Sequence, residues 1–331
     1  MSTLKFGILS TAQIGRTQVI PAIQRSKNAE VIAIASRNDQ TAKVAAEKLS
    51  IDKTYNTYEA LLKDPDIDAI YIPLPNSLHK EWVIKACQHK KHVLCEKPIA
   101  LNNTELEEIL LAAKQNKVVV MEAFMYQFHP QHDKVKEIIA NGEIGEISLM
   151  RASFSFYLED RSNIRLSNDL GGGSMFDVGC YTLHSIRTIF DDEPSSVFAN
   201  STSRADLQVD TTMSGLLSFA DGKMALFDSS FDSFQRQNYE VVGSKGIINV
   251  TSAYRPDTNE NMEGEITVKT VNGKTYVHRI AGDQYKLMVE DFAEAIIEDR
   301  PLTYSIENMI NQMKVLDAAY QSSKENRPIL L

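Results

Sequence analysis

With 331 residues, 43% of them hydrophobic and 24% charged, the chain is long enough for two folded domains and too apolar for a disordered one. Its 44 acidic and 35 basic residues leave a formal charge of −9, which argues against duplex nucleic acid or an anionic membrane surface as the main partner. No apolar run approaches the roughly 20 residues of a membrane span, Met1-Ser2-Thr3-Leu4-Lys5-Phe6 leads at once into a strand rather than a secretion signal, and Cys87, Cys95 and Cys180 lack metal-ligand spacing, so the expectation is a cytoplasmic protein with reduced core thiols.

Leu4 to Leu9 is a short apolar strand. Ser10-Thr11-Ala12-Gln13-Ile14-Gly15 follows and opens a helix over Arg16 to Ser26, in the place of a dinucleotide fingerprint. Ser10 and Ala12 stand where the first two glycines usually sit, and Gly15 is kept. Small residues let the backbone approach a pyrophosphate, and a helix N-terminus favours its charge; an ordinary strand-to-helix turn is the alternative. A second strand, Glu30 to Ala35, ends in Ser36-Arg37-Asn38. NAD-binding units place a carboxylate about 20 residues past the glycines to receive the ribose 2′-hydroxyl. A hydroxyl and a guanidinium at that tip suit a 2′-phosphate instead, so NADP is favoured over NAD, with nearby Asp39 as the counter-indication.

The alternation continues with a helix at Asp39 to Leu49, a strand at Lys53 to Tyr55, a helix at Thr57 to Lys63 and a strand at Ala69 to Ile72 that runs into Pro73-Leu74-Pro75-Asn76. A helix from Ser77 to His89, a strand at Val93 to Cys95, a helix at Asn103 to Gln115 and a strand at Val118 to Met121 complete it. The fold class is therefore α/β, with an N-terminal doubly wound parallel Rossmann sheet over residues 1–122. Such sheets bind ligands beyond the carboxyl ends of their strands. Ser10, Ser36, Pro73, Glu96, Lys97 and Glu122 all lie there. The run Val93-Leu94-Cys95-Glu96-Lys97-Pro98 sets an ammonium at the tip of a buried strand.

Past Glu122 the pattern changes to a C-terminal α+β domain, residues 123–331. Phe124 to Pro130 is dense in aromatic residues, and a helix spans Pro130 to Ala140. Long alternating strands follow, at Glu146–Tyr157, Ser195–Ser203, Thr211–Phe219, Lys223–Ser230, Asn238–Gly243, Ile247–Thr251, Gly264–Thr270 and Lys274–Ile280. Asp221-Gly222 and Asn272-Gly273 read as hairpin turns, so the sheet is large, open and mostly antiparallel. Helices at Gln284–Glu298 and Ser305–Glu325 close the chain, and the last of them is a candidate to pack back on the first domain. Within this domain Gly171-Gly172-Gly173 gives a permissive backbone before a helix on which Asp177, Tyr181 and His184 fall at i, i+4 and i+7, one face. His129 and His132, at i and i+3 beside Asp133, have too few companions for a metal site, and none is expected.

On Gly15, Glu96-Lys97-Pro98 and the segment from Gly171 to Tyr181, the chain resembles the Gfo/Idh/MocA family of oxidoreductases over nearly its whole length. Within it, Ser36-Arg37 and Tyr181 resemble the branch of dimeric dihydrodiol dehydrogenases and NADP-dependent D-xylose dehydrogenases. Glu122 to Tyr126, Gln284-Tyr285 and Glu307-Asn308-Met309 fit the same branch, while Gln127 departs from a common arginine. The resemblance implies a nucleotide domain, an open-sheet domain used for homodimer or higher contacts, and reversible NADP-linked oxidation of a carbinol in a sugar, polyol or cyclic diol. The expected cofactor contacts are Ser10, Thr11, Ala12, Gln13, Ile14, Gly15, Ser36, Arg37, Pro73, Leu74, Asn76, His79, Glu96, Lys97 and Tyr126. His79 is also a candidate for a substrate hydroxyl. A free tyrosine titrates near ~10, so Tyr181 needs a cation to act as general acid/base; Lys97 is the expected cation, also donating to the substrate oxygen. Asp177 is expected to orient Lys97 or to bind a second substrate hydroxyl. The alternatives are a non-catalytic NADP(H) sensor and an NAD-linked inositol or amino-sugar dehydrogenase.

Overall fold

Apolar strands separated by helices can bury both faces only as a parallel sheet with helices on either side. The structure, a computed structural model, describes residues 3–331. Its contacts divide the chain into two compact units: residues up to Met125 together with Tyr285–Ile310, and Tyr126–Gln284 together with Asn311–Leu331.

Among the described residues the first unit holds β1 (Leu4–Leu9), β2 (Ala29–Ala35), β3 (Lys53–Tyr55), β4 (Ala69–Ile72), β5 (His92–Cys95) and β6 (Val120–Glu122), in the order β3-β2-β1-β4-β5-β6. All neighbouring pairs are parallel. The central strand β4 is solvent-free along its length, from Ala69 to Ile72. The order reverses at β1, whose neighbours are β2 and β4, and that reversal opens a crevice at the carboxyl ends. The connecting helices are α1 (Ile20–Arg25), α2 (Asp39–Leu49), α3 (Tyr58–Leu62), α4 (His79–Gln88) and α5 (Asn103–Asn116). Asn38, Thr57 and Asn102 cap α2, α3 and α5 by accepting backbone N–H bonds from Thr41, Ala60 and Glu105. From Tyr285 on, the helix Gln284–Ile297 belongs to this unit, with Phe292 packed 5.9 Å from Phe6 between ring centres.

The second unit contains α6 (Gln131–Ala140), β7 (Ile147–Ser155), α7 (Cys180–Phe190) and β8 to β15, at Ser196–Thr202, Thr212–Ser218, Met224–Ser230, Arg236–Gly243, Gly246–Val250, Glu263–Thr270, Thr275–Ala281 and Ile329–Leu330. Among the described residues they form one nine-stranded sheet, β14-β13-β12-β11-β7-β10-β9-β8-β15. The β7–β10 pair is parallel and the remaining pairs are antiparallel. Residues between β7 and β10 include α7, the crossover that a parallel pair requires. One face is buried through Met150, Ala152, Ala225, Phe227 and Val241. The other carries a row across the sheet, in register from Phe198 through Leu216, Leu226, Arg151, Glu240, Asn249 and Thr267 to Val277. Phe198, Leu226 and Val277 on that row are 39%, 42% and 50% exposed.

Two expected helices begin differently from the simple pattern. Gly15–Val19 and Met175–Gly179 are π turns that lead into α1 and α7. The wider turn alters the i, i+4 spacing that placed Asp177 and Tyr181 on one α-helical face. The short β15 has no alternating run long enough to be read from sequence. Cys87, Cys95 and Cys180 are in no disulfide, and all three are buried.

Candidate active site

At the end of β1 the chain must turn tightly, and Ser10 does so at φ 99, a backbone region that favours glycine. Its Oγ accepts the Ala12 N–H at 3.1 Å and donates to the Pro73 carbonyl at 3.4 Å, so the serine gains bonds that a glycine lacks. Arg16 N–H closes the first turn onto Ala12 O at 3.1 Å, which leaves the N–H groups of the residues between them at the helix mouth, where an anion is favoured. At the tip of β2, Ser36 is buried and accepts the Asn38 N–H at 3.3 Å. Arg37 is exposed and lies beside the Tyr58 hydroxyl; burial raises the Tyr58 pKa and the guanidinium works against it. The Asp39 carboxylate is held by Lys43 at 2.6 Å along α2. The tip offers the Ser36 hydroxyl and the Arg37 guanidinium, which fit a 2′-phosphate, with the half-exposed Asp39 carboxylate neutralised by Lys43 beside them.

Beyond β5, Glu96 accepts the Tyr71 hydroxyl at 2.6 Å. The Lys97–Pro98 peptide is cis. Lys97 is half-buried, and Pro98, Ile99 and Ala100 behind it are buried. Glu122, at the end of β6 and 2% exposed, accepts the Ile99 N–H and the Tyr304 hydroxyl, each at 2.9 Å. Burial pushes its carboxyl up to about 7, against the opposing pull of those two bonds and the Lys97 charge. His79 is wholly buried, with Nδ1 2.7 Å from the Pro98 carbonyl and Nε2 2.9 Å from the Leu74 carbonyl. This corrects the expected ligand role: the ring brackets the Pro73–Asn76 segment to the turn after β5 and offers no open nitrogen to a hydroxyl.

In the second unit Tyr181 is 4% exposed, and its ring packs against Tyr126, Phe154 and Tyr254 at centre distances of 5.6, 5.4 and 5.6 Å. The Tyr254 hydroxyl meets Ser185 Oγ at 3.0 Å. The Tyr126 hydroxyl, expected at the cofactor, lies 2.6 Å from His184 Nδ1. Burial holds the His184 pKa well below its ordinary value, so the ring stays neutral. His132 places Nδ1 at the Tyr239 hydroxyl and Nε2 at the Ala253 carbonyl, while His129 faces Met262 O and the Gln131 N–H. These two rings are absorbed by core bonds.

Asp177 Oδ2 accepts Arg165 Nε at 2.6 Å, with the carboxylate 15% and the guanidinium 43% exposed. Asp177 first, with Tyr181 as a smaller contributor, raises the Arg165 pKa against burial, so the cation lies within electrostatic reach of the phenol. The glycine triplet explains how Arg165 arrives there. A Cβ at Gly172 would lie 2.4 Å from the Arg165 carbonyl oxygen, and Gly173, at φ +125, would bring one 2.3 Å from Asp210 Oδ1. Gly173 N–H bonds to Arg165 O at 2.9 Å. The buried Asp210 accepts from Ser174 Oγ, Met175 N and the Tyr320 hydroxyl at 2.7, 2.7 and 2.9 Å and fixes the start of the π turn. Arg165 was missed from sequence because its loop has no periodicity; the glycines six residues on were the available signal.

A parallel sheet with a phosphate-ready turn and a phosphate-ready second strand tip defines a dinucleotide-binding oxidoreductase fold. Residues 4–124 match the family described as GFO_IDH_MocA, an oxidoreductase family with an NAD-binding Rossmann fold, and residues 132–249 match the GFO/IDH/MocA C-terminal domain. The chain belongs to this family. It is 38% identical to D-xylose 1-dehydrogenase (NADP(+)) 2 of Haloferax volcanii over 330 residues, 99% of this chain and 100% of the relative. It is 33% identical to a trans-1,2-dihydrobenzene-1,2-diol dehydrogenase of Xenopus laevis over 271 residues, 80% of each. Among solved structures, a 3-ketoreductase from Actinomadura kijaniata in complex with NADP and TDP-benzene superposes with a TM-score of 0.92 at 28% identity, covering 97% of this chain and 98% of that one.

Proposed function

We propose that the protein is an NADP-dependent dehydrogenase or reductase acting on the carbinol or carbonyl carbon of a small polyhydroxylated substrate, a sugar, polyol or cyclic diol. The observation that carries this reading is the buried Tyr181 phenol with Arg165 within electrostatic reach and Asp177 holding that guanidinium. A sensor of cofactor occupancy has no use for such a proton-transfer group. The relatives' names, an NADP-linked xylose dehydrogenase, a dihydrodiol dehydrogenase and an NADP-bound ketoreductase, support the same chemistry.

The first unit takes the cofactor. Ser10 to Gly15 cradle its pyrophosphate, Ser36 and Arg37 bind the 2′-phosphate, and Pro73, Leu74, Asn76, Glu96 and Lys97 line the nicotinamide end. Bound nicotinamide supplies or accepts the hydride. Tyr181 receives the hydroxyl proton in oxidation and returns it in reduction. Lys97 donates a hydrogen bond to the substrate oxygen as charge develops there. Arg165 favours negative charge on the Tyr181 oxygen, and Asp177 holds Arg165 in place. Tyr126 backs the Tyr181 ring. The second unit carries substrate specificity and, through the row from Phe198 to Val277, a homodimer contact. Buried thiols outside any disulfide suit the reducing cytoplasm.

Nicotinamide absorbance, followed with NADP⁺ and NAD⁺ in parallel against aldoses, polyols and cyclic diols, tests the reading. Turnover preferring NADP⁺ supports it. Turnover preferring NAD⁺ overturns the role of Ser36 and Arg37, and tight NADPH binding with no turnover on any of these classes overturns the substrate assignment.

A further inference from the structure

Glu122 is a carboxylate where a hydrophobic sheet would ordinarily carry an apolar residue. It is 2% exposed at the end of β6, and both oxygens are engaged: Oε1 by the Ile99 N–H and Oε2 by the Tyr304 hydroxyl, each at 2.9 Å. Ile99 is two residues past Lys97 and is itself buried. Tyr304 is held in turn by an edge-on contact with Phe124, 6.1 Å between ring centres. Two donors fix the carboxylate, and the carboxylate fixes the backbone that presents the ammonium.

We propose that Glu122 is a positioning residue for Lys97: its ionised carboxylate holds the Lys97–Ile99 turn by the backbone and balances the ammonium, so the turn is set for catalysis only when Glu122 has lost its proton. The inference rests on the role given above to Lys97. An ionised carboxylate accepts both bonds at once, whereas the protonated acid turns one oxygen into a donor. The groups that bear on Glu122 are Lys97 and Glu96 on the turn after β5, Cys95 at the end of β5, and Tyr304. Lys97 favours the charged form, Glu96 and burial oppose it, and the balance falls at about 7.

The sign of the stability effect separates this role from that of a plain structural anchor. Glu122 titrates above the ordinary carboxylate range when folded, so the folded chain keeps a proton that the unfolded chain has released. Stability attributable to this group therefore declines as pH rises from the ordinary range to about 7, and above that the buried charge is carried at a cost. Such a charge persists where function needs it.

The test is Glu122→Gln, an isostere that still accepts the Ile99 N–H but carries no charge. Three readouts are expected to move. The melting temperature rises at pH 8 and is unchanged at pH 5. Lys97, which loses a neighbouring negative charge, is acylated by acetic anhydride several-fold faster at pH 8, read by peptide mass spectrometry. Turnover falls about tenfold, the equivalent of one pKa unit, and loses its acid limb near pH 7, while NADPH affinity changes less than twofold. Tyr304→Phe keeps the carboxyl but removes one donor, so its acid limb moves to higher pH; it serves if Glu122→Gln does not fold. A variant less stable at pH 8, with Lys97 acylated at the wild-type rate, overturns the proposal. Melting and acylation need no substrate, so they hold or fail apart from the assigned reaction.

Discussion

The two sheets assemble polar groups in opposite ways. The parallel sheet draws Ser10, Ser36, Pro73, Lys97 and Glu122 from the ends of five strands, residues far apart in the chain that reach one edge only because every strand points the same way. The nine-stranded sheet contributes a face, and its chemistry is carried by one continuous segment from Arg165 to Ser185, folded back on itself by close glycine contacts. A site built from strand ends depends on topology, each loop contributing one group to it. A site built from one segment depends on local geometry and fails with it.

That difference orders the expected effects of substitution. Tyr181→Phe should lower turnover by roughly 10²–10⁴, the range of general acid/base catalysis, with NADPH affinity nearly unchanged; unchanged turnover in steady-state assays would end the assigned role. Arg165→Gln breaks the ion pair with Asp177 and should lower turnover by about tenfold to a hundredfold, the worth of a charge-assisted hydrogen bond of ~1.5–3 kcal/mol. A loss confined to NADPH binding would mean that the segment is not the chemical half. On the parallel sheet, Arg37→Ala should weaken NADPH by about tenfold and leave NADH unaffected; equal weakening in fluorescence titrations would show that Arg37 does not read the 2′-phosphate. The smallest change is Asn102→Ala at the α5 cap, costing about 1 kcal/mol in denaturant unfolding and leaving kcat alone.

Much of the first unit was legible because its signals are periodic and independent. Alternating strands and helices fix the topology, and topology then gathers Ser10, Ser36 and Lys97 without any contact being known. Asp39 and Lys43 stand at i and i+4 on the expected helix, and the structure pairs them at 2.6 Å. His79 was misread because a histidine on a helix start gives no hint that two carbonyls close around its ring. The π turns were hidden for a related reason: i→i+5 bonding leaves no mark in an apolar pattern. In the second unit the glycine triplet was visible, and what it makes room for, the Arg165 backbone and the Asp210 carboxylate, was not.

The three cysteines have a practical consequence. Cys87 and Cys95 lie in the first unit and Cys180 in the second, and all three are shielded in the native fold. Burial pushes the Cys87 thiol up to about 12 and raises that of Cys95 well above its ordinary value, so neither forms thiolate at neutral pH. An alkylating reagent therefore reads opening events rather than surface chemistry. Because the thiols are distributed over both units, the order in which the three become labelled during slow heating is a clock that reports which unit lets go first.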